Sequence, residues 1–222
     1  MERVALSWSG GKDSSLALQK LRKRGESEVT GLLTTVTEDY ERISMHGVRR
    51  SLLDMQAERL ELPLEVVHIP KDSSNSVYEE RMGKALEKLS SEGVRKIAFG
   101  DLFLEDIRRY REDRLKEVGM TAIFPLWRSD TTELAHSFIS SGFRAIICCV
   151  DTRKLDRNYC GAEFDDDFIS SLPPGTDPCG ENGEFHTFVY DGPIFSSGIK
   201  VKRGETVIRE DFCFTDLKAE SS

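Results

Sequence analysis

Seven consecutive residues, Ser9-Gly10-Gly11-Lys12-Asp13-Ser14-Ser15, place three hydroxyls, two adjacent glycines, a lysine and an aspartate directly after a short apolar run. Paired glycines let a backbone come close to an anion and aim successive N–H groups at it, and a following helix N-terminus adds favourable partial charge. Ser9, Ser14 and Ser15 supply hydroxyl donors and Lys12 a point charge. The chemistry these types serve is phosphate binding. A plain glycine turn has no use for so many donors. Neither G-x-x-x-x-G-K-[ST] nor G-x-G-x-x-G is present, which excludes the common nucleoside-triphosphate and dinucleotide fingerprints. Asp13 repels phosphate, so it orients Lys12, reaches a metal through water, or caps the helix.

A second concentration of reactive types runs from Asp177 to Thr187, Asp-Pro-Cys-Gly-Glu-Asn-Gly-Glu-Phe-His-Thr, with Cys179, Glu181, Glu184 and His186 set around two glycines. Composition alone reads it as a solvated turn. Phe99-Gly100-Asp101 closes a predicted strand, where Gly100 permits close approach and Asp101 either contacts ligand or caps a helix. His46, in Ser44-Met45-His46-Gly47, lies beyond the second predicted strand and is either a nucleotide contact or a loop residue. His68 and His136 fall inside a strand and a helix and read as structural, and Cys148 and Cys149 as packed thiols on opposite faces of one strand.

Bulk properties narrow the partners. The chain has 222 residues with 31 Lys+Arg against 39 Asp+Glu, a formal charge of −8 that disfavours a polyanion, so nucleic acid is not the expected partner. Five cysteines without C-x-x-C spacing fit neither a zinc site nor a disulfide framework, so reduced thiols and no protein-built metal site are expected. No apolar stretch approaches a membrane span or a signal sequence, and a cytoplasmic protein with no membrane partner is the expectation. A homo-oligomer is left open.

Positioning these groups requires alternating elements. Strands are predicted at Arg3 to Trp8, Val29 to Val36, Leu64 to Ile69, Arg95 to Phe99, Thr121 to Phe124 and Ala145 to Val150. Helices are predicted at Ser14 to Arg24, Val48 to Leu60, Asn75 to Ser91, Glu105 to Val118 and Thr131 to Ser141. Gly25, Gly93, Gly119 and Gly142 sit where helices should stop, and Asp130-Thr-Thr-Glu133 is a capping-box pattern. The order predicts an α/β fold, a doubly wound parallel sheet with helices on both faces. After Asp151 shorter alternating stretches predict a smaller α+β region with antiparallel hairpins, ending in a frayed tail from Lys218 to Ser222. Residues 1–150 are thus expected to form the domain that carries the phosphate-type turn, and 151–222 the smaller region. Glu105/Arg109, Arg108/Glu112 and Arg109/Asp113 have the spacing of a solvated helix face, although Arg108, Arg109 and Arg111 could meet an anionic acceptor.

Ser9-Gly10-Gly11-Lys12-Asp13-Ser14 resembles the S-G-G-x-D-S signature of the PP-loop ATP pyrophosphatases, which have a Rossmann-like HUP fold and split ATP between its α and β phosphates. Cys179-Gly-Glu-Asn-Gly-Glu184, with Thr187, Asp191, Pro193 and Phe195, is similar to the C-terminal signature of the diphthine-ammonia ligase family. The resemblance implies an AMP-forming ligase in which ATP and Mg²⁺ adenylate a carboxylate, on a protein side chain or a small molecule, and ammonia displaces AMP. It also implies Lys12, Asp13, Glu181, Glu184 and His186 as catalytic candidates, the acids concentrating ammonium and either a carboxylate or the His186 imidazole removing its proton. Ser9 to Ser15, His46, Gly100 and Asp101 become the nucleotide-binding set, residues 1–150 the PP-loop ATP-binding domain and 151–222 the substrate-side region. Where the family usually reads Gly-Glu-aromatic-Glu-Thr this chain has Gly183-Glu184-Phe185-His186-Thr187, and in place of Asp-Tyr-Gln-Arg it has Asp106-Ile-Arg-Arg109. The acceptor therefore stays open. A PP-loop tRNA thiolase and a non-catalytic adenine-nucleotide module are the alternatives.

Overall fold

The computed structural model describes residues 1–43 and 46–220. Its first sheet is built from β1 (Glu2–Ser7), β2 (Ser27–Thr37), β3 (Arg42–Ile43), β4 (Leu64–Ile69), β5 (Lys96–Ala98) and β6 (Thr121–Ile123). β1 pairs in parallel with β2 and β5, β2 with β4, and β5 with β6. Leu32 and Leu33 each pair with both β1 and β4, so those two strands lie on opposite edges of β2. The parallel order is therefore β4-β2-β1-β5-β6, with the two-residue β3 added antiparallel at Val36 and Thr37. The chain winds outward from β1 on one side and then resumes at β5 on the other. β1 and β5 thus flank the point where the strand order reverses, and open α/β sheets bind ligands in the crevice outside the carboxyl ends of the strands there.

Alternation along β1 explains why both faces carry helices. Val4 and Leu6 enter one core with Leu16 and Leu18 of α1 (Lys12–Arg24) and Leu52 and Leu53 of α2 (Arg50–Leu60). Ala5 enters the other, with Leu86 and Leu89 of α3 (Asn75–Ser91) and Leu115 of α4 (Glu105–Glu117). Successive strand side chains point to opposite faces, so a strand apolar at every position must be covered twice. Gly25 closes α1 in a left-handed conformation, its N–H bonded to the Leu21 carbonyl, as its position after the last helical residue predicts. Of the charge pairs expected along α4, Arg108–Glu112 forms at 2.8 Å, whereas Glu105 turns to Arg128 at 3.3 Å.

The strand expected at Ala145 to Val150 exists as β7 (Arg144–Asp151), but it does not join the parallel sheet. It is central in a second, antiparallel sheet of order β8-β7-β10-β9, with β8 (Phe185–Asp191), β9 (Val201–Arg209) and β10 (Phe212–Ala219). A strand buried on both faces has the same apolar run in either kind of sheet, so periodicity could not assign it. Lys218 and Ala219, expected to fray, are paired with Lys202 and Val201 of β9, while Ser221 and Ser222 lie outside the described residues. α5 (Thr131–Ser140) leads into β7, and Asp130 caps it by accepting from Glu133 N at 2.9 Å. α6 (Asp166–Ser171) packs Phe168 edge-on to Phe185. No helix among the described residues is long and apolar enough to cross a membrane.

One carboxylate ties the second sheet to the loop between β2 and α2. Asp216 on β10 accepts from Arg42 Nη2 at 2.9 Å and from Arg49 Nε and Nη2 at 2.9 and 2.8 Å. Burial works against the Asp216 charge, yet these hydrogen bonds hold its pKa down from 3.8 to about 2. A depressed folded-state pKa gives stability that is present above the unfolded value and lost as pH falls toward the folded one. Wild-type protein should therefore lose a component of stability between about pH 4 and pH 2 that Asp216→Asn lacks, with the variant the weaker at neutral pH. Urea unfolding across that range measures both.

Candidate active site

The phosphate-type turn sits where β1 ends at the crevice, and three glycines are required there for different reasons. Gly10 has φ +75°, and a Cβ on it would lie 2.7 Å from Gln56 Oε1 and 2.9 Å from Leu53 Cδ2. A Cβ on Gly11 would meet the Thr187 carbonyl oxygen at 3.0 Å, and one on Gly100 the Asp13 carbonyl carbon at 2.9 Å. Gly100 thus lets the first turn of α1 lie directly against the loop that leaves β5. Ser14 and Ser15 donate their hydroxyls to the Gly11 carbonyl at 2.9 and 3.0 Å, and Ser9 Oγ accepts from Gly11 N at 3.3 Å.

β8 forms the opposite wall. Thr187 Oγ1 accepts from Lys12 N at 3.0 Å, and Val189 N donates to the Gly10 carbonyl at 2.9 Å. Gln56, wholly buried on α2, accepts from Trp8 Nε1 at 2.8 Å and donates Nε2 to the carbonyls of Gly10 at 3.0 Å and Val189 at 2.6 Å. One amide therefore joins the end of β1, the turn and β8. Neither Gln56 nor Thr187 was singled out as a site residue from the sequence. The available signal was an amide in the apolar stripe Leu52, Leu53, Gln56, Ala57, Leu60, where a glutamine without partners would be costly.

Lys12 is 3% exposed, with its ammonium on Asp13 at 2.8 and 3.0 Å and 5.7 Å from the Phe185 ring centroid. Burial alone would lower its pKa, but the charges of Asp13 and Glu181 contribute to a net rise, so it is a permanent cation. Glu181 Oε1 accepts from Leu102 N at 2.8 Å, and burial raises this carboxyl to about 7. Asp177 Oδ1 shapes the loop by accepting from Cys179 N at 2.9 Å and Glu181 N at 3.2 Å. Cys179 donates its thiol to the Thr131 carbonyl, and desolvation pushes it up to about 12, so it stays protonated. Glu184 is 5% exposed; its Oε1 accepts from Asp177 N and Asn182 Nδ2, both at 3.2 Å, while Oε2 is buried with no partner among the described residues.

His46 and His186 stack with ring centroids 4.4 Å apart. Desolvation first, and then Lys12, lowers His186 to about 4; desolvation, His186 and Lys12 together lower His46 well below the usual imidazole value. Both rings border a cleft of about 460 Å³ that begins at Ser9, crosses the ends of β1 and β2, and runs between α3 and α4. Asp101 does not cap α4; it pairs with Arg111 at 2.8 Å, and that guanidinium lies 4.3 Å from the Phe99 ring centroid on the cleft wall. Arg108 packs instead on Trp127, and His68 and His136 lie near Glu41 and Asp166. Lys12, Asp13, Glu181 and His186 are thus drawn together from both ends of the chain, while Glu184 is held on the Asp177 loop beside them.

Replacing Gln56 by leucine keeps the volume but strands Trp8 Nε1 and the Val189 carbonyl. Each orphaned buried group costs about 1–3 kcal/mol, so Gln56→Leu should lose at least about 2 kcal/mol in denaturant unfolding, or fail to fold.

Comparison with known proteins gives two family matches. Residues 2–122 match the diphthamide synthase N-terminal domain and residues 130–222 the diphthamide synthase C-terminal domain. The chain is 28% identical to the diphthine–ammonia ligase of Homo sapiens, over 97% of this chain and 88% of that protein. It is 27% identical to the diphthine–ammonia ligase of Danio rerio, over 97% of this chain and 92% of that one. Among solved structures, a predicted subunit of tRNA methyltransferase from Methanocaldococcus jannaschii aligns at 19% identity and a TM-score of 0.40, over 72% of this chain and 84% of that one.

Proposed function

Since the chain belongs to the diphthamide synthase family, we propose that it is an ATP-dependent, AMP-forming ligase that adenylates a carboxylate and amidates it with ammonia. The observation that carries this reading is the contact of Thr187 Oγ1 with Lys12 N, which puts the strand bearing His186, and the loop bearing Glu181 and Glu184, against the phosphate-type turn.

The β and γ phosphates rest on Gly10, Gly11 and the first turn of α1, with Ser9 and Lys12 at their edge, and the nucleoside extends into the cleft past His46. The acceptor carboxylate attacks the α phosphorus and pyrophosphate leaves, its growing charge met by Lys12 and the backbone donors. Ammonia then attacks the acyl carbon and AMP departs. Glu181, with its pKa near neutrality, takes the proton that ammonium must lose, and the free Oε2 of Glu184 holds the cation beforehand. His186 at about 4 is neutral at physiological pH and acts as a hydrogen-bond partner, not as the proton's destination.

No three His, Cys, Asp or Glu side chains among the described residues converge to hold a metal by themselves. Mg²⁺ needs only one or two carboxylates beside substrate phosphates, and Asp13, at the start of α1 beside Lys12, suits that role. When bound it would neutralise phosphate charge. Sulfur transfer finds little support in a buried Cys179 held as a thiol.

Incubated with Mg-ATP, ammonium and candidate carboxylates, the protein should release AMP and pyrophosphate in an ammonium-dependent manner; ADP, or no product, would reject a ligase. Glu184→Gln should abolish the ammonium dependence and spare ATP binding. The base form of Glu181 appears as pH rises through about 7, so kcat/KM should climb across that value. In Glu181→Gln that step should vanish, leaving only the rise due to ammonium's own ionisation.

A further inference from the structure

We propose that Gly83 is a specificity-determining residue, which keeps a side chain out of the α3 wall of the cleft and so forms the slot that takes the purine base of the nucleotide. The inference rests on the nucleotide reading above.

Tyr78, Met82 and Leu86 repeat at helical spacing on α3, Glu79 and Gly83 flank them on the same side, and all five border the cleft. Glycine is the poorest helix former after proline, so a glycine deep inside a seventeen-residue helix needs a compensating reason. The usual reasons fail here. Gly83 is not among the glycines with positive φ, so its backbone suits any residue. A Cβ on it would find no atom within 4 Å, so no neighbour demands its smallness either. A side chain there would enter open space from a residue that borders the cleft.

The surroundings suit a planar heterocycle. Across the slot α4 presents Tyr110 and Arg114, the latter reaching Glu79 at 3.5 Å, and the sheet supplies Ile97 and Phe99 as a floor. Aromatic faces and the polarisable sulfur of Met82 favour a flat ring system. The phosphate end lies at Ser9, where the cleft opens onto the turn. A volume of about 460 Å³ falls in the usual range for small-molecule sites, about 300–1,000 Å³.

Gly83→Ala and Gly83→Leu test this through thermal unfolding of the free protein and calorimetric titration with three probes. The probes are adenosine, Mg-pyrophosphate and the Mg complex of α,β-methylene-ATP. Both variants should melt higher, the alanine one by about 2–4 °C. Gly83→Leu should bind adenosine and the ATP analogue roughly tenfold more weakly or worse, as overpacking a filled site requires, and bind pyrophosphate like wild type. Wild-type affinity for adenosine in Gly83→Leu would overturn the proposal, as would equal losses for adenosine and pyrophosphate, or a lower melting temperature in Gly83→Ala. In those cases the nucleotide reading stands so long as wild type binds the analogue. Wild type that takes pyrophosphate but neither adenosine nor the analogue would overturn that reading, and this proposal with it.

Discussion

The carboxamide of Gln56 is wholly buried and bonded at both of its ends, and the end of β1, the turn and β8 meet on it. Trp8 Nε1 fixes its oxygen, and the carbonyls of Gly10 and Val189 fix its nitrogen. A buried amide exchanging three hydrogen bonds admits one orientation, because any rotation strands groups that cannot find solvent. Its neighbours on the buried face of α2, Leu52, Leu53, Ala57 and Leu60, belong to the core cluster shared with α1 and the sheet, so the amide cannot move without disturbing the core. The consequence reaches the second sheet. β8 is held to the turn by Val189 and Thr187 on one side and joined to β7 on the other, so the loop carrying Glu181 and Glu184 is located by strand pairing, not by its own irregular backbone.

Electrostatics then select what that geometry can hold. A single lysine, buried and paired with Asp13, lies among Glu181 and the Asp177 loop in a chain that is acidic overall. Such a neighbourhood would repel a bare polyanion, so an anion could be held there only through the positive potential that backbone N–H groups and the helix terminus contribute without adding residues. The same acidity favours a small cation beside the phosphates. An anion-type turn and an acidic loop side by side are what the proposed amidation by ammonia would need, and Glu181, raised by burial, belongs to that loop.

How much of this was legible follows from which signals are local. Strand and helix positions through α5 were readable because each is periodic or capped by its own residues, as Leu64 to Ile69 and Asn75 to Ser91 illustrate at both ends. The turn was readable because glycine, lysine and serine types announce their chemistry. Sheet membership of β7 was not, since a run buried on both faces carries no directional information. Nor was the fate of Asp101, whose partner Arg111 stands one helix away, or the closeness of His46 to His186, which depends on two loops meeting. Gln56 stood between these cases. Its oddity in an apolar stripe was visible, but its partners come from β1 and β8.

The exchange of a family carboxylate for His186 fits the same electrostatic frame. A carboxylate on β8 at this point would add a negative charge beside the phosphate-type turn, where Asp13 and Glu181 already surround one lysine. A neutral imidazole adds none. Its stacking partner shares the constraint, for two imidazolium rings 4.4 Å apart in a desolvated site would repel strongly, and Lys12 disfavours either charge. The loop that brings His46 there is held from outside, by Asp216 gripping Arg42 and Arg49 and by the Phe214 ring, which a Cβ on Gly47 would meet at 2.7 Å. The pair is therefore a product of the second sheet as much as of the first, and a neutral ring at position 186 leaves the acidic loop beside the turn without a further negative charge.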